Sequence, residues 1–278
     1  MTRSVGSKIG DRMIPIRHNL FPGGKSKALT LSYDDGPIHD RRLVEICNRY
    51  GLKGSFHLNS GFLDHEGKIP PGEIATLYRG HEISAHSVTH PFLEQLPRQQ
   101  FAQQILDDRR ALEALAGYPV RGMSYPFGTY DAAIVAALPG LGICYARTVE
   151  SHGRFSLPEN PLLWHPTCHH KQMVEQLDSF LAENRHQSPR LLYVWGHSYE
   201  FHNDNNWELL ETFGARVQAA AAEIWFATNI EIIDYLDAVK RLRISADGSL
   251  VENPSLQPIW ITWNGQPREI QPGELARA

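Results

Sequence analysis

Short apolar runs alternate with longer amphipathic ones from about residue 28 to residue 241, and no other feature of the chain restricts its fold so tightly. The runs at 28–33, 54–58, 82–85, 121–125, 142–147, 161–166, 190–195 and 223–227 have strand length and composition. Between them, 40–50, 72–79, 98–116, 130–138, 171–185, 206–222 and 230–241 read as helices. In 98–116, Phe101, Ile105, Leu106, Leu112 and Leu115 keep near-helical spacing, with Pro97 at the entry and Gly117 at the exit. Strand–helix alternation of this kind requires parallel strands joined by crossover helices. Seven or eight units fit an open doubly wound sheet or a closed barrel. With 278 residues, 42% of them hydrophobic, the chain can fill a single barrel domain over 1–243. Residues 244–278 carry Ile259-Trp260-Ile261-Thr262-Trp263 followed by Asn264-Gly265, which predicts a small β appendage with a tight hairpin, packed on the same domain.

Charge and cysteine content exclude several classes of function. There are 27 Lys and Arg against 31 Asp and Glu, with no dense basic block, so the footprint of nucleic-acid binding is missing. No run is long and apolar enough for a membrane span. The three cysteines, Cys47, Cys144 and Cys168, are far apart and odd in number, which argues for a reducing compartment. Residues 1–20 lack the apolar core of a signal peptide, so the sequence reads as cytoplasmic, with Met13 as an alternative start.

The residues with chemical potential follow predicted strands. Asp34-Asp35-Gly36-Pro37 ends the first, and His86-Ser87-Val88-Thr89-His90 follows the third. Each alone could be a turn or a surface pair. Together they offer one carboxylate and two imidazoles to a divalent cation and leave a second carboxylate free to take a proton from water. Such a set suits zinc, with cobalt, nickel or manganese as substitutes. The turn at Pro126-Phe127-Gly128 could present a backbone N–H to an oxyanion. His197, after the strand at 190–195, can protonate a leaving amine, and Trp195, Tyr199 and Tyr130 could line a shallow groove for a sugar ring. Cys168-His169-His170 lacks partners at zinc-finger spacing and reads as a loop rim.

In this order the motifs resemble the polysaccharide deacetylase family (carbohydrate esterase family four). The resemblance runs from about residue 28 to 240 and rests on Ser32-Tyr33-Asp34-Asp35-Gly36-Pro37 and His86-Ser87-Val88-Thr89-His90. It implies a distorted (β/α) barrel of seven or eight strands. It also implies Asp34 as general base, Asp35, His86 and His90 as metal ligands, and His197 as general acid. Two motifs depart from the family pattern. The third, normally Arg-x-Pro-Tyr-Gly, is Ser124-Tyr125-Pro126-Phe127-Gly128, without the arginine that braces the catalytic aspartate. The fourth has no clear counterpart in 143–148, where the family's aspartate is missing. Arg147, ending the next strand, is the candidate replacement, whereas Arg121 begins its strand and should lie at the far end of the barrel.

The resemblance therefore implies removal of acetyl from an N-acetylated sugar or polysaccharide by metal-assisted hydrolysis. A cyclic amide or ureide is the alternative substrate for the same site. A catalytically dead carbohydrate-binding protein is a third reading, and the spare carboxylate argues against it.

Overall fold

The computed structural model describes residues 13–182 and 188–278; the N-terminal segment 1–12 and the end of the helix expected over 171–185 lie outside them. A two-residue strand, β1 (Ile16–Arg17), is followed by the first barrel strand, β2 (Lys27–Asp34), and helix α1 (Asp40–Arg49). Next come β3 (Gly54–Leu58), α2 (Pro71–Leu77), β4 (Glu82–Ala85), α3 (Arg98–Ala116), β5 (Gly122–Ser124), α4 (Ala132–Ala137) and β6 (Tyr145–Arg147). The second half holds β7 (Cys168–His169), α5 (Met173–Ala182), β8 (Arg190–Gly196), α6 (Ser198–Asn203), α7 (Glu208–Ala219), β9 (Ile224–Phe226) and α8 (Asn229–Lys240). The eight barrel strands pair in parallel in the order β6-β5-β4-β3-β2-β8-β7, with β9 on the start of β2.

Residues 164–169 bridge the two edges of this curled sheet. Trp164 N donates to Ala146 O at 2.9 Å, Thr148 N donates to Trp164 O at 3.1 Å, and Thr167 N donates to Tyr193 O at 2.8 Å. The strand expected over 161–166 is therefore misplaced. Pro161–Leu163 forms a single 3-10 turn capped by the Asn160 side chain, and the paired strand begins only at Cys168. Proline at the start of that segment has no N–H for a ladder and favours the turn.

Strand periodicity separates two chemistries on the barrel wall. On β2, Leu29, Leu31 and Tyr33 pack outward in the main core with Leu43, Val44, Leu210 and Phe213 of the surrounding helices. The alternate residues point inward and are polar: Thr30 bonds Asn229, Ser32 bonds His57, and Asp34 accepts from Ser124. The same alternation puts Ser55, Glu82, Ser84 and Tyr145 in one hydrogen-bonded group lower in the barrel. Because the side-chain period is two, the next inward position after this polar column is the strand end, where Asp34, His86, Ser124 and Arg147 converge.

The C-terminal residues build two three-stranded antiparallel sheets. One joins β10 (Arg243–Ile244), β11 (Leu250–Glu252) and β14 (Leu275–Arg277); the other joins β12 (Ile259–Trp263) and β13 (Gln266–Ile270) to β1 near the N-terminus. Asn264 and Gly265, with φ of 50° and 78°, make the two-residue turn between β12 and β13. Ile259, Ile261 and Trp263 pack with Ile232 and Tyr235 of α8 and with Phe21. Among the described residues, no helix is long and apolar enough to cross a membrane.

Candidate active site

The carboxylate of Asp34 lies at the C-terminal mouth of the barrel and is buried. Its Oδ1 accepts from Ser124 Oγ at 3.0 Å, and its Oδ2 accepts from Nη2 of Arg147, itself fully buried. Burial alone would raise the Asp34 pKa. The Arg147 guanidinium, with His86, His57 and His197, outweighs it and holds the carboxyl well below the usual aspartate range. Arg147 also lies under the Trp195 ring, 4.8 Å from its centroid, and donates through Nη1 to Thr148 O at 3.2 Å. Arg121 forms a bidentate pair with Asp234 of α8 instead, at 2.9 and 2.6 Å.

Asp35, His86 and His90 meet beside this carboxylate. Their donor atoms all lie within 4.8 Å of one another; His86 Nε2 is 3.7 Å and His90 Nε2 4.0 Å from Asp35 Oδ1. The backbone N–H of His86 donates to Leu58 O at 3.0 Å and to Asp108 Oδ2 at 2.9 Å, so a buried acid on α3 fixes the end of β4. His86 Nδ1 lies 2.9 Å from Ser124 O and 2.7 Å from Ser124 Oγ. A proton on Nδ1 satisfies the carbonyl and leaves the Nε2 lone pair facing Asp35. Burial pushes the His86 pKa below its ordinary 6.5, which favours the neutral imidazole a metal needs. The donor set thus fits a divalent cation with two imidazoles and a carboxylate.

Backbone strain concentrates here. Asp35, Ser87, His90 and Phe127 have φ of 75°, 66°, 53° and 56°, and the two other positive-φ non-glycine residues described are asparagines, which tolerate that region. Each such residue costs about 1–3 kcal/mol and persists only where surrounding contacts enforce it. Lys68 Nζ, donating to Asp35 O at 2.8 Å, and Asn59 Nδ2, donating to His86 O at 2.7 Å and Ser87 O at 3.0 Å, supply such contacts.

His197 caps α6 on the opposite rim. Its Nε2 is 4.0 Å from Asp34 Oδ2, while its Nδ1 lies 3.2 Å from Glu200 Oε2, which also accepts from the His197 backbone N–H at 3.0 Å. Burial lowers the pKa of His197. The hydrogen bond to Glu200 and the charges of Asp34, Asp35 and Glu200 overcome this and raise it above 6.5. The sequence signal for Glu200 is its place three residues after His197, the spacing of a capping box. Ser124, at the position where the resembled motif has arginine, links His86 to Asp34.

The remaining rim residues differ in exposure. Phe127 is 52% exposed and stacks on Phe92, which is 40% exposed, with centroids 4.0 Å apart; Phe127 also meets the His90 ring edge-on. Gly128, at φ 73°, is required where it stands, since a Cβ there would lie 2.3 Å from Val149 Cγ2. Pro126 is buried, the Tyr130 hydroxyl donates to Glu150 at 2.7 Å, and Trp195 Nε1 donates to Ser151 Oγ at 3.1 Å. The Tyr199 ring centroid is 5.0 Å from that of His197. A cavity of about 660 Å³ lies at the other end of the barrel, lined by Arg17, Lys25, Ser26, Glu223 and Thr262. It contains neither the paired carboxylates nor the histidines, so chemistry and not size assigns the site.

Residues 22–146 match the family model for polysaccharide deacetylase. The matched residues, somewhat less than half of the chain, are similar to the polysaccharide deacetylase family. The family match includes Asp34, Asp35, His86, His90 and the turn at 126–128, and ends before Arg147 and His197. A peptidoglycan-N-acetylglucosamine deacetylase of Listeria monocytogenes is 26% identical over 136 residues, 47% of this chain and 28% of its own length. A chitin deacetylase of Colletotrichum lindemuthianum is 24% identical over 139 residues, 49% of this chain and 56% of its own. The chain thus spans little more than a quarter of the first relative and about half of the second. A solved Mycobacterium smegmatis protein of the polysaccharide deacetylase class superposes with a TM-score of 0.62 at 18% identity, over 82% of this chain and 96% of that one. The Bacillus subtilis peptidoglycan deacetylase PdaC gives a TM-score of 0.52 at 14% identity, over 77% and 95%. These structures share the (β/α) barrel of the family.

Proposed function

We propose that the chain removes acetyl from an N-acetylated sugar by hydrolysis of the acetamide C–N bond. The observation that carries this reading is the buried Asp34 carboxylate set between the Asp35–His86–His90 group and His197. Asp35, His86 and His90 would hold one divalent cation, with zinc the first choice for two imidazoles and a carboxylate. A cation there supplies Lewis acidity, which polarises the acetamide carbonyl and acidifies water.

Asp34 accepts the proton of the attacking water. Its bond to Arg147 keeps it ionised and also makes it a weak base, so it serves only where the water is itself acidic. Arg147 and Ser124 fix its two oxygens and therefore its orientation. The Phe127 backbone N–H supports the carbonyl oxygen as it gains charge. His197, protonated at Nε2 with its other nitrogen held by Glu200, delivers a proton to the departing amine. Phe127, Phe92 and Trp195 leave the rim open enough for a sugar ring.

The test is incubation of metal-loaded protein with N-acetylglucosamine oligomers, with acetate and free amine measured together. Equal release of both is expected. Ammonia or a ring-opened acid from a ureide, with no acetate from any acetylated sugar, would overturn the reading in favour of the alternative substrate. Sugar binding without turnover would favour the dead site.

A further inference from the structure

We propose that His169, His170 and Glu200 form a second divalent-metal site, distinct from the Asp35–His86–His90 set. His169 ends β7, His170 opens the turn into α5, and Glu200 lies in the first turn of α6. The strand β8 between them brings Glu200 back over the two histidines. One donor atom from each lies within 4.8 Å of the others. His169 Nε2 is 3.0 Å and His170 Nε2 is 3.8 Å from Glu200 Oε2. Zinc bonds of about 2.0–2.1 Å in a tetrahedron place neighbouring ligands about 3.3 Å apart, between those two separations.

His170 supplies the second, independent observation. It is fully buried, and neither ring nitrogen has a hydrogen-bond partner. A buried polar group left unpaired costs about 1–3 kcal/mol, so native interiors rarely retain one without cause. The ring is held rather than loose: it stacks on Phe201 at 4.0 Å and on Tyr33 at 5.9 Å. Gly196 makes room for it, since a Cβ at that position would lie 2.1 Å from His170 Nδ1. The packing therefore aims an unsatisfied Nε2 at a carboxylate. A hydrogen bond from His169 to Glu200 would suffice to brace His197, and it would leave His170 without a role.

The donor types select the ion. Two imidazoles and one carboxylate suit zinc, cobalt or nickel over calcium and magnesium, which prefer all-oxygen shells. A fourth position remains for solvent on the side of His169, which is partly exposed. The second site shares Glu200 with His197. A cation on the carboxylate competes with that contact, so occupancy of this site loosens His197.

The test uses the full chain, stripped with a chelator and titrated with Co²⁺, with elemental analysis for stoichiometry and visible absorption for each site. Two equivalents are expected. His86→Ala/His90→Ala should retain one, His170→Leu should retain one, and the triple variant none. Circular dichroism checks that His170→Leu is folded. If it is not, His169→Gln, nearer the surface, should lose at least about tenfold in cobalt affinity at one site only. An unchanged stoichiometry in folded His170→Leu, or an unchanged affinity in His169→Gln, overturns the proposal. A cobalt-free His86→Ala/His90→Ala variant does so as well. A single equivalent that survives in His86→Ala/His90→Ala and disappears in His170→Leu would uphold this site and refute the metal set of the proposed function.

Discussion

Replacing Arg147 by methionine tests the link between barrel packing and the candidate base. Arg147 is fully buried and Asp34 is 3% exposed, so the substitution leaves a carboxylate in the interior with its main cation gone. Removing one partner of a buried pair typically costs about 3–5 kcal/mol. Met restores much of the volume and contact with Trp195, which keeps the expected loss at the lower end, about 3 kcal/mol. With a urea slope of about 3 kcal/mol/M, the unfolding midpoint should fall by about 1 M. In Asp34→Asn/Arg147→Met no charge is stranded, and most of the loss should return. The coupling energy from the four-way cycle should exceed about 2 kcal/mol. The pH dependence follows from the same pair. Asp34 lies below its ordinary value of 3.8 in the folded chain, so its contribution is present above that pH and is lost as the pH falls through the folded value. In Arg147→Met the largest charge opposing burial is gone, so the carboxyl rises relative to the parent and the gap between parent and variant should narrow on acidification. Urea titrations followed by circular dichroism at pH 7 and at pH 4.5 measure both effects. If the two single changes add to within about 0.5 kcal/mol in the double variant, the two groups are uncoupled and the bracing argument fails.

Asp34→Asn should retain fold and metal content and lose about 10²–10⁴ in deacetylation rate, since asparagine cannot accept the proton; a parental rate in metal-loaded variant would reduce Asp34 to a turn residue. Gly128→Ala adds a Cβ at φ 73° against Val149, and should destabilise the chain by about 1–3 kcal/mol in thermal unfolding while disturbing the Phe127 turn; an unchanged melting temperature would show that the turn adjusts freely. Glu82, deep in the barrel, is raised by burial from 4.5 to about 7 despite donors from Ser55, Tyr145 and Ile230. The folded chain then keeps a proton that the unfolded chain releases, so this group's contribution is complete below pH 4.5 and is lost as the pH rises to about 7. Glu82→Gln should flatten the stability profile in that window, and urea midpoints that track the parent at every pH would place the charge elsewhere.

Local pattern determined much of this molecule. The alternation of apolar runs and amphipathic stretches predicts the parallel strands and their helices, because strand and helix periods are properties of a few neighbouring residues. It also exposes Asp34, Asp35, His86, His90 and His197 as polar residues at strand ends, where a barrel gathers its chemistry. Residues 161–166 show the limit: they are apolar enough for a strand, but Pro161–Leu163 is a 3-10 turn and only Trp164 pairs with β6, across the gap that closes the barrel. Tertiary structure alone decided the rest. The inward stripe of Thr30, Ser32 and Asp34 is chemically unremarkable until the sheet curls and gives each residue a partner on another strand. Arg147 reaches Asp34 because β5 and β6 pair in a register that sets Ser124 beside it, both against that carboxylate. Glu200 and His170 belong to different elements and meet only because β8 returns the chain over β7. Burial, which sets the pKa of Glu82 and leaves His170 without a partner, depends on contacts between residues far apart in sequence, and no short window of the chain contains them.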